Sequence, residues 1–110
     1  MKYVFDLDGT LCTNTKGDYL SAKPISDRVE IVNQLFDSGH EITIYTARGM
    51  NTYKNNVSKV YEKYYILTQT QLREWNIKYH NLILGKPPGD IYVDDKGAND
   101  ADYFGTNVRP

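Results

Sequence analysis

Lys2-Tyr3-Val4-Phe5-Asp6-Leu7-Asp8-Gly9-Thr10 opens the chain with a short apolar and aromatic run that ends in acid. Residues 2–7 read as a buried strand, because β-branched and aromatic side chains suit a packed, pleated surface. Residues 9–24 turn polar and rich in Gly, Thr and Asn, which predicts a loop or a small hairpin flap. A helix is expected over residues 24–38. Val29, Val32, Leu35 and Phe36 recur at helical spacing, Pro24 suits a helix start, and Gly39 suits the position just past a helix end. Residues 41–45 give a β-branched second strand, closed by Thr46-Ala47-Arg48-Gly49. Strand, helix, strand with a short exit loop predicts a parallel sheet with a right-handed crossover. The expected fold class is therefore α/β, an open Rossmann-like parallel sheet flanked by helices.

Further along, Tyr53, Val57, Val60, Tyr61 and Tyr64 are spaced for a helix, and residues 70–75 suggest a second one. Residues 82–84 and 91–93 read as two more short strands, separated by Gly85-Lys86-Pro87-Pro88-Gly89-Asp90. The tail is polar, with an amphipathic patch at Tyr103 and Phe104. With no internal repeat, linker or low-complexity segment, residues 1–110 form one domain.

Composition narrows the function classes. A net charge of -1 with 25% charged residues leaves no basic footprint for nucleic acid and no polybasic membrane patch. No apolar run approaches the roughly 18 residues needed to cross a bilayer. The first residues reach Asp6 too soon for a secretory signal. The single cysteine, Cys12, cannot form an internal disulfide, so a reducing, cytoplasmic location is expected.

The polar residues fall at the ends of the expected strands. Asp6 and Asp8 end the first, Thr46 the second, Lys86 follows the third, and Asp94 with Asp95 ends the fourth. Open parallel sheets bind ligands in the crevice beyond those ends. Carboxylates gathered there repel one another unless a cation sits among them. Hard oxygen donors suit Mg²⁺, which keeps several waters and takes a further ligand from a substrate phosphate. A metal so placed lets an anionic carboxylate approach an anionic substrate. A lysine and a hydroxyl would hold the remaining phosphoryl oxygens. One aspartate could act as a covalent nucleophile, and the other could move the proton.

These residues resemble the haloacid dehalogenase-like superfamily of phosphatases. Asp6-Leu7-Asp8-Gly9-Thr10-Leu11 is similar to its first motif and Ile44-Tyr45-Thr46-Ala47-Arg48 to its second. Leu84-Gly85-Lys86-Pro87 is similar to the third and Tyr92-Val93-Asp94-Asp95 to the fourth. The resemblance implies Asp6 as nucleophile and Mg²⁺ ligand. It implies Asp8 as general acid and base, giving the metal its backbone carbonyl. Thr46, Ala47, Arg48 and Lys86 would bind the phosphoryl group. Asp95 would meet the metal, with Asp94 beside it or through water, and the two could exchange roles. Gly17-Asp18-Tyr19, Ala22-Lys23-Pro24-Ile25 and Thr46-Ala47-Arg48-Gly49-Met50 further resemble a small capsule-biosynthesis phosphatase group. That likeness implies polysaccharide biosynthesis and a small phosphorylated metabolite such as a sugar phosphate. Only the 14 residues 11–24 are available between the first motif and the first helix, too few for a folded cap. A flap over residues 11–22 is expected instead. Capless members shield the pocket by oligomerising or act on larger substrates, so a homo-oligomer is an open expectation.

Other readings compete for single residues. Asp-Gly is a common turn pair, Thr46 could be a strand residue, and Lys86 an ordinary loop lysine. Arg48 could contact substrate phosphate or a sugar hydroxyl, or instead form a structural ion pair. Cys12 reads as packing, and His40 and His80 as surface hydrogen-bonding groups. Asp100 and Asp102 read as solvated, and the ten tyrosines as partly buried structural residues. At the level of the whole chain, the alternatives are a phosphorylatable receiver-like signalling module and a non-catalytic partner protein of the same fold. Receiver domains open with a paired acid and place the acceptor after a middle strand. Here Asp-x-Asp opens the chain and the pair comes late.

Overall fold

The computed structural model describes residues 1–108, with side chains through Gly105. Strand β1 (Lys2–Phe5) leads through a 3₁₀ turn at Tyr19–Ser21 to helix α1 (Ser26–Asp37). Strand β2 (Glu41–Thr46), helix α2 (Val57–Glu74), strand β3 (Asn81–Leu84) and helix α3 (Asp100–Val108) follow. The three strands form a parallel sheet in the order β1-β2-β3, as an open α/β fold requires.

Both long helices end in the same device. Gly39, at φ +92°, lets its own N–H reach the Phe36 carbonyl while the His40 N–H reaches Leu35. After α2, Asn76 takes a left-handed φ of +56°, its N–H bonding Arg73 and that of Ile77 bonding Leu72. These paired bonds satisfy last-turn carbonyls and swing the chain into the next strand. At its start, α2 is capped by Asn56, whose side chain accepts the Lys59 N–H at 3.2 Å.

Paired residues of a parallel sheet share a face. Phe5, Ile42, Ile44, Leu82 and Leu84 point one way and form a single core with Val32 of α1, Val60 and Leu72 of α2, and Phe104 of α3. The opposite face carries Val4, Thr43, Tyr45 and Ile83. It is covered least at its margins, where Val4 and Ile83 are exposed.

Two expectations are corrected. Helix α2 runs unbroken from Val57 to Glu74, where the sequence suggested a second helix at residues 70–75. No Gly or Pro interrupts it. Residues 91–93 form no strand. Pro87 and Pro88 lack N–H donors, and the Tyr92 hydroxyl closes a local loop, accepting from the Gly89 N–H at 2.8 Å and donating to the Pro87 carbonyl at 2.7 Å. Ile91 and Val93 therefore lie on the surface. No helix among the described residues is long and apolar enough to cross a membrane.

Candidate active site

Beyond the C-terminal ends of the strands lies a pocket of about 540 Å³. Asp6, Asp8, Thr46, Ala47, Arg48 and Lys86 all line it. The Asp6-Leu7-Asp8 segment enters it because Leu7 is fully buried, which turns the flanking carboxylates outward. The chain then wraps around one atom. The Leu7 carbonyl accepts the N–H groups of Thr10, Leu11 and Cys12 at 3.0, 2.8 and 3.2 Å. Gly9, at φ +83°, permits that turn. Arg28 braces it from outside, donating to the Thr10 carbonyl at 3.0 Å and pairing with Asp100 at 2.6 Å. Asp100, read from sequence as solvated, is thus an ion-pair partner.

Lys86 Nζ lies 3.3 Å from Asp6 Oδ1, and its backbone N–H extends the β2–β3 ladder to the Thr46 carbonyl at 3.1 Å. The same ammonium sits 4.4 Å from the centre of the Tyr92 ring. Thr10 Oγ1 reaches Asp6 Oδ2 at 3.4 Å. Thr46 Oγ1 accepts the Arg48 N–H at 3.2 Å, leaving its own O–H to donate elsewhere. The side chain of Asp6 is 35% exposed, so one face of this carboxylate is open to a ligand.

Asp8 is held differently. Arg48 grips it at two points, Nε to Oδ2 at 2.9 Å and a terminal nitrogen to Oδ1 at 3.0 Å. The Arg48 side chain is completely buried, with Asp8 as its ion-pair partner. Its remaining donors meet Gln71 Oε1 at 2.5 Å and Thr68 Oγ1 at 3.2 Å, with Cys12 Sγ at 4.0 Å. The Tyr19 ring covers the guanidinium at 4.7 Å. Tyr19 is itself fixed, accepting the Gly49 N–H on its hydroxyl and the Gln71 amide on its carbonyl. Sequence reading assigned no role to Thr68, Gln71 or Arg28, and noted Tyr19 only within a motif. The available signal was a pair of polar residues, Thr68 and Gln71, one turn apart on an otherwise amphipathic helix.

Cys12 is buried behind Asp8. Burial, reinforced by the Asp8 charge, pushes its thiol from the ordinary value near 9 up to about 12. It is a packed, protonated group.

Asp94 and Asp95 are both exposed, and neither lines the pocket. Asp94 accepts the backbone N–H groups of Lys96 and Gly97 in a local turn, which hold its carboxyl below the usual range. Among the described residues, no three His, Cys, Asp or Glu side chains form a metal cluster. The Asp6 carboxylate, a hard oxygen donor partly open to the pocket, fits Mg²⁺, and the family resemblance implies the Asp8 backbone carbonyl as its companion. A cation satisfied by few protein ligands, waters and a substrate phosphate suits such a set.

The comparisons agree with this architecture. The family described as haloacid dehalogenase-like hydrolase matches residues 3–78. A crystal structure of a structural-genomics target from Vibrio cholerae superposes with a TM-score of 0.88 at 29% identity, covering 97% of this chain and 92% of that one. No curated protein matches the chain.

Proposed function

The chain belongs to the haloacid dehalogenase-like hydrolases, and from that premise we propose that it is a Mg²⁺-dependent phosphatase acting on a small phosphomonoester. The observation that carries the reading is the approach of Lys86 Nζ to Asp6 Oδ1, 3.3 Å, at the strand ends where Thr46 and Asp8 also open. An ammonium beside a partly open carboxylate holds the latter in place, ready to attack. Asp6 Oδ attacks phosphorus and the bond to the leaving oxygen breaks, with Asp8, which enters this step protonated, giving that oxygen its proton and becoming a carboxylate. Water then attacks the phosphorus of the aspartyl-phosphate. Its proton passes to Asp8, the bond to Asp6 breaks, and inorganic phosphate leaves with the carboxylate restored. The Thr46 hydroxyl and Lys86 ammonium hold the phosphoryl oxygens during both steps. Mg²⁺, held by the Asp6 carboxylate and the Asp8 carbonyl, would supply charge neutralisation of the phosphate.

Asn14, Asn51 and Thr52 also line the pocket, beside Lys16, Tyr19 and Tyr92, and suit a hydroxylated substrate such as a sugar phosphate. The likeness to capsule-biosynthesis phosphatases supports the same choice.

Asp6→Asn should abolish phosphate release from a panel of phosphorylated metabolites while leaving the circular dichroism spectrum unchanged. Wild-type turnover in that variant removes Asp6 as nucleophile. Chelation should stop activity and added Mg²⁺ should restore it. Turnover indifferent to chelator removes the metal.

A further inference from the structure

We propose that Arg48 is a positioning residue that fixes the Asp8 carboxylate, and that Gln71 and Thr68 of α2 hold Arg48 in turn. The inference rests on reading Asp8 as the group that moves the proton. It replaces the expectation that the Arg48 side chain binds substrate phosphate.

A guanidinium has five N–H donors in a rigid fork. In Arg48, Nε meets Asp8 Oδ2 and one terminal nitrogen meets Asp8 Oδ1 and Cys12 Sγ. The other terminal nitrogen meets Gln71 Oε1 and Thr68 Oγ1. All five are occupied, and Tyr19 closes the flat face at 4.7 Å. The Arg48 side chain is 0% exposed against 18% for Asp8. A phosphate oxygen could reach this guanidinium only by displacing Asp8.

A two-point grip removes rotation about the Asp8 side chain, which a single contact would leave free. The direction of proton delivery is therefore set at the back of the site. The line Asp8–Arg48–Gln71–Tyr19 also ties the 3₁₀ turn that walls the pocket to the same clamp, through the Gln71 amide on the Tyr19 carbonyl at 2.6 Å. Lysine cannot reproduce the fork, so Arg48→Lys keeps the charge and loses the geometry.

The test is a kinetic cycle with phenyl phosphate, whose poor leaving group needs the proton, and circular dichroism confirms folding of each variant. Arg48→Lys should lower kcat at least about tenfold with KM within about threefold, the pattern of an interaction acting on the chemical step. In Asp8→Asn/Arg48→Lys the loss should be no greater than in Asp8→Asn alone, since residues acting through one another are non-additive. Gln71→Leu, which loosens the clamp without touching Asp8, should lower kcat to an intermediate level; it serves as the main arm if Arg48→Lys does not fold. A raised KM with kcat kept makes Arg48 a phosphate ligand and overturns the proposal. Multiplying losses in the double variant, or a Gln71→Leu enzyme with wild-type kcat, overturn it too. Wild-type kcat in Asp8→Asn refutes the proton-transfer reading itself, and this proposal with it. An inactive Asp8→Asn beside a fully active Arg48→Lys overturns the positioning role alone.

Discussion

Gly49, three residues past the end of β2, has φ +76°, and a Cβ built there would stand 2.5 Å from two ring carbons of Tyr64. Gly49→Ala should therefore cost roughly 2–4 kcal/mol in urea unfolding, the sum of a left-handed backbone penalty and a ring that must move. In Gly49→Ala/Tyr64→Ala the loss should fall short of the sum of the single losses, because the clash is gone. Cys12 makes a second residue-scale prediction. The folded thiol titrates at about 12 against an ordinary value near 9, so the folded state holds its proton more tightly than the unfolded one. Its contribution to stability is complete below pH 9 and is lost as pH rises toward 12. Cys12→Ala should flatten that part of the alkaline stability profile. At pH 8 the native protein should react with iodoacetamide far more slowly than the unfolded chain. The placement of Asp6, Asp8 and Lys86 beyond β1 and β3 was legible in the sequence, since it follows from those strand boundaries. That of Asp94 and Asp95 at a fourth strand end was not, because residues 91–93 form no strand. Nor was the burial of Arg48. It depends on Thr68 and Gln71, which lie 20 and 23 residues away in the chain.

At the scale of elements, β1, α1 and β2 follow their apolar patterns, and Gly39 marks a helix end as expected. Helix α2 was misread in its middle for a reason connected with the site. Ile66 is 70% exposed while Thr68 and Gln71 are buried. Polar residues occupy core-facing positions there because they hold a guanidinium, so the hydrophobic period is inverted. Asn76 closes this helix with a left-handed φ of +56°. Asn76→Ala should lose about 1 kcal/mol and Asn76→Gly should lose none, as thermal or urea unfolding would show. Equal losses in the two variants would mean that the Asn76 side chain, rather than its backbone, is what the turn requires.

At the scale of the whole molecule, an apolar run such as Ile91-Tyr92-Val93 signals a strand, but a strand also needs an edge to pair with, and pairing is invisible in local sequence. Val93 is 90% exposed and Ile44 is fully buried. Val93→Ser should accordingly shift stability by less than about 0.5 kcal/mol, whereas Ile44→Ala should cost about 2–5 kcal/mol. A large loss in Val93→Ser would place residues 91–93 in a packed strand. The strand order β1-β2-β3 has a further effect on how the molecule opens. Among the described residues, only β2 is hydrogen-bonded on both sides, whereas β1 and β3 each lean on a single neighbour. In deuterated water the amides of residues 42–45 should be the last to exchange, since freeing them requires parting the sheet on both sides. Thr46 is the final residue of that strand, so the hydroxyl proposed to hold a phosphoryl oxygen stands at the end of the strand expected to exchange last.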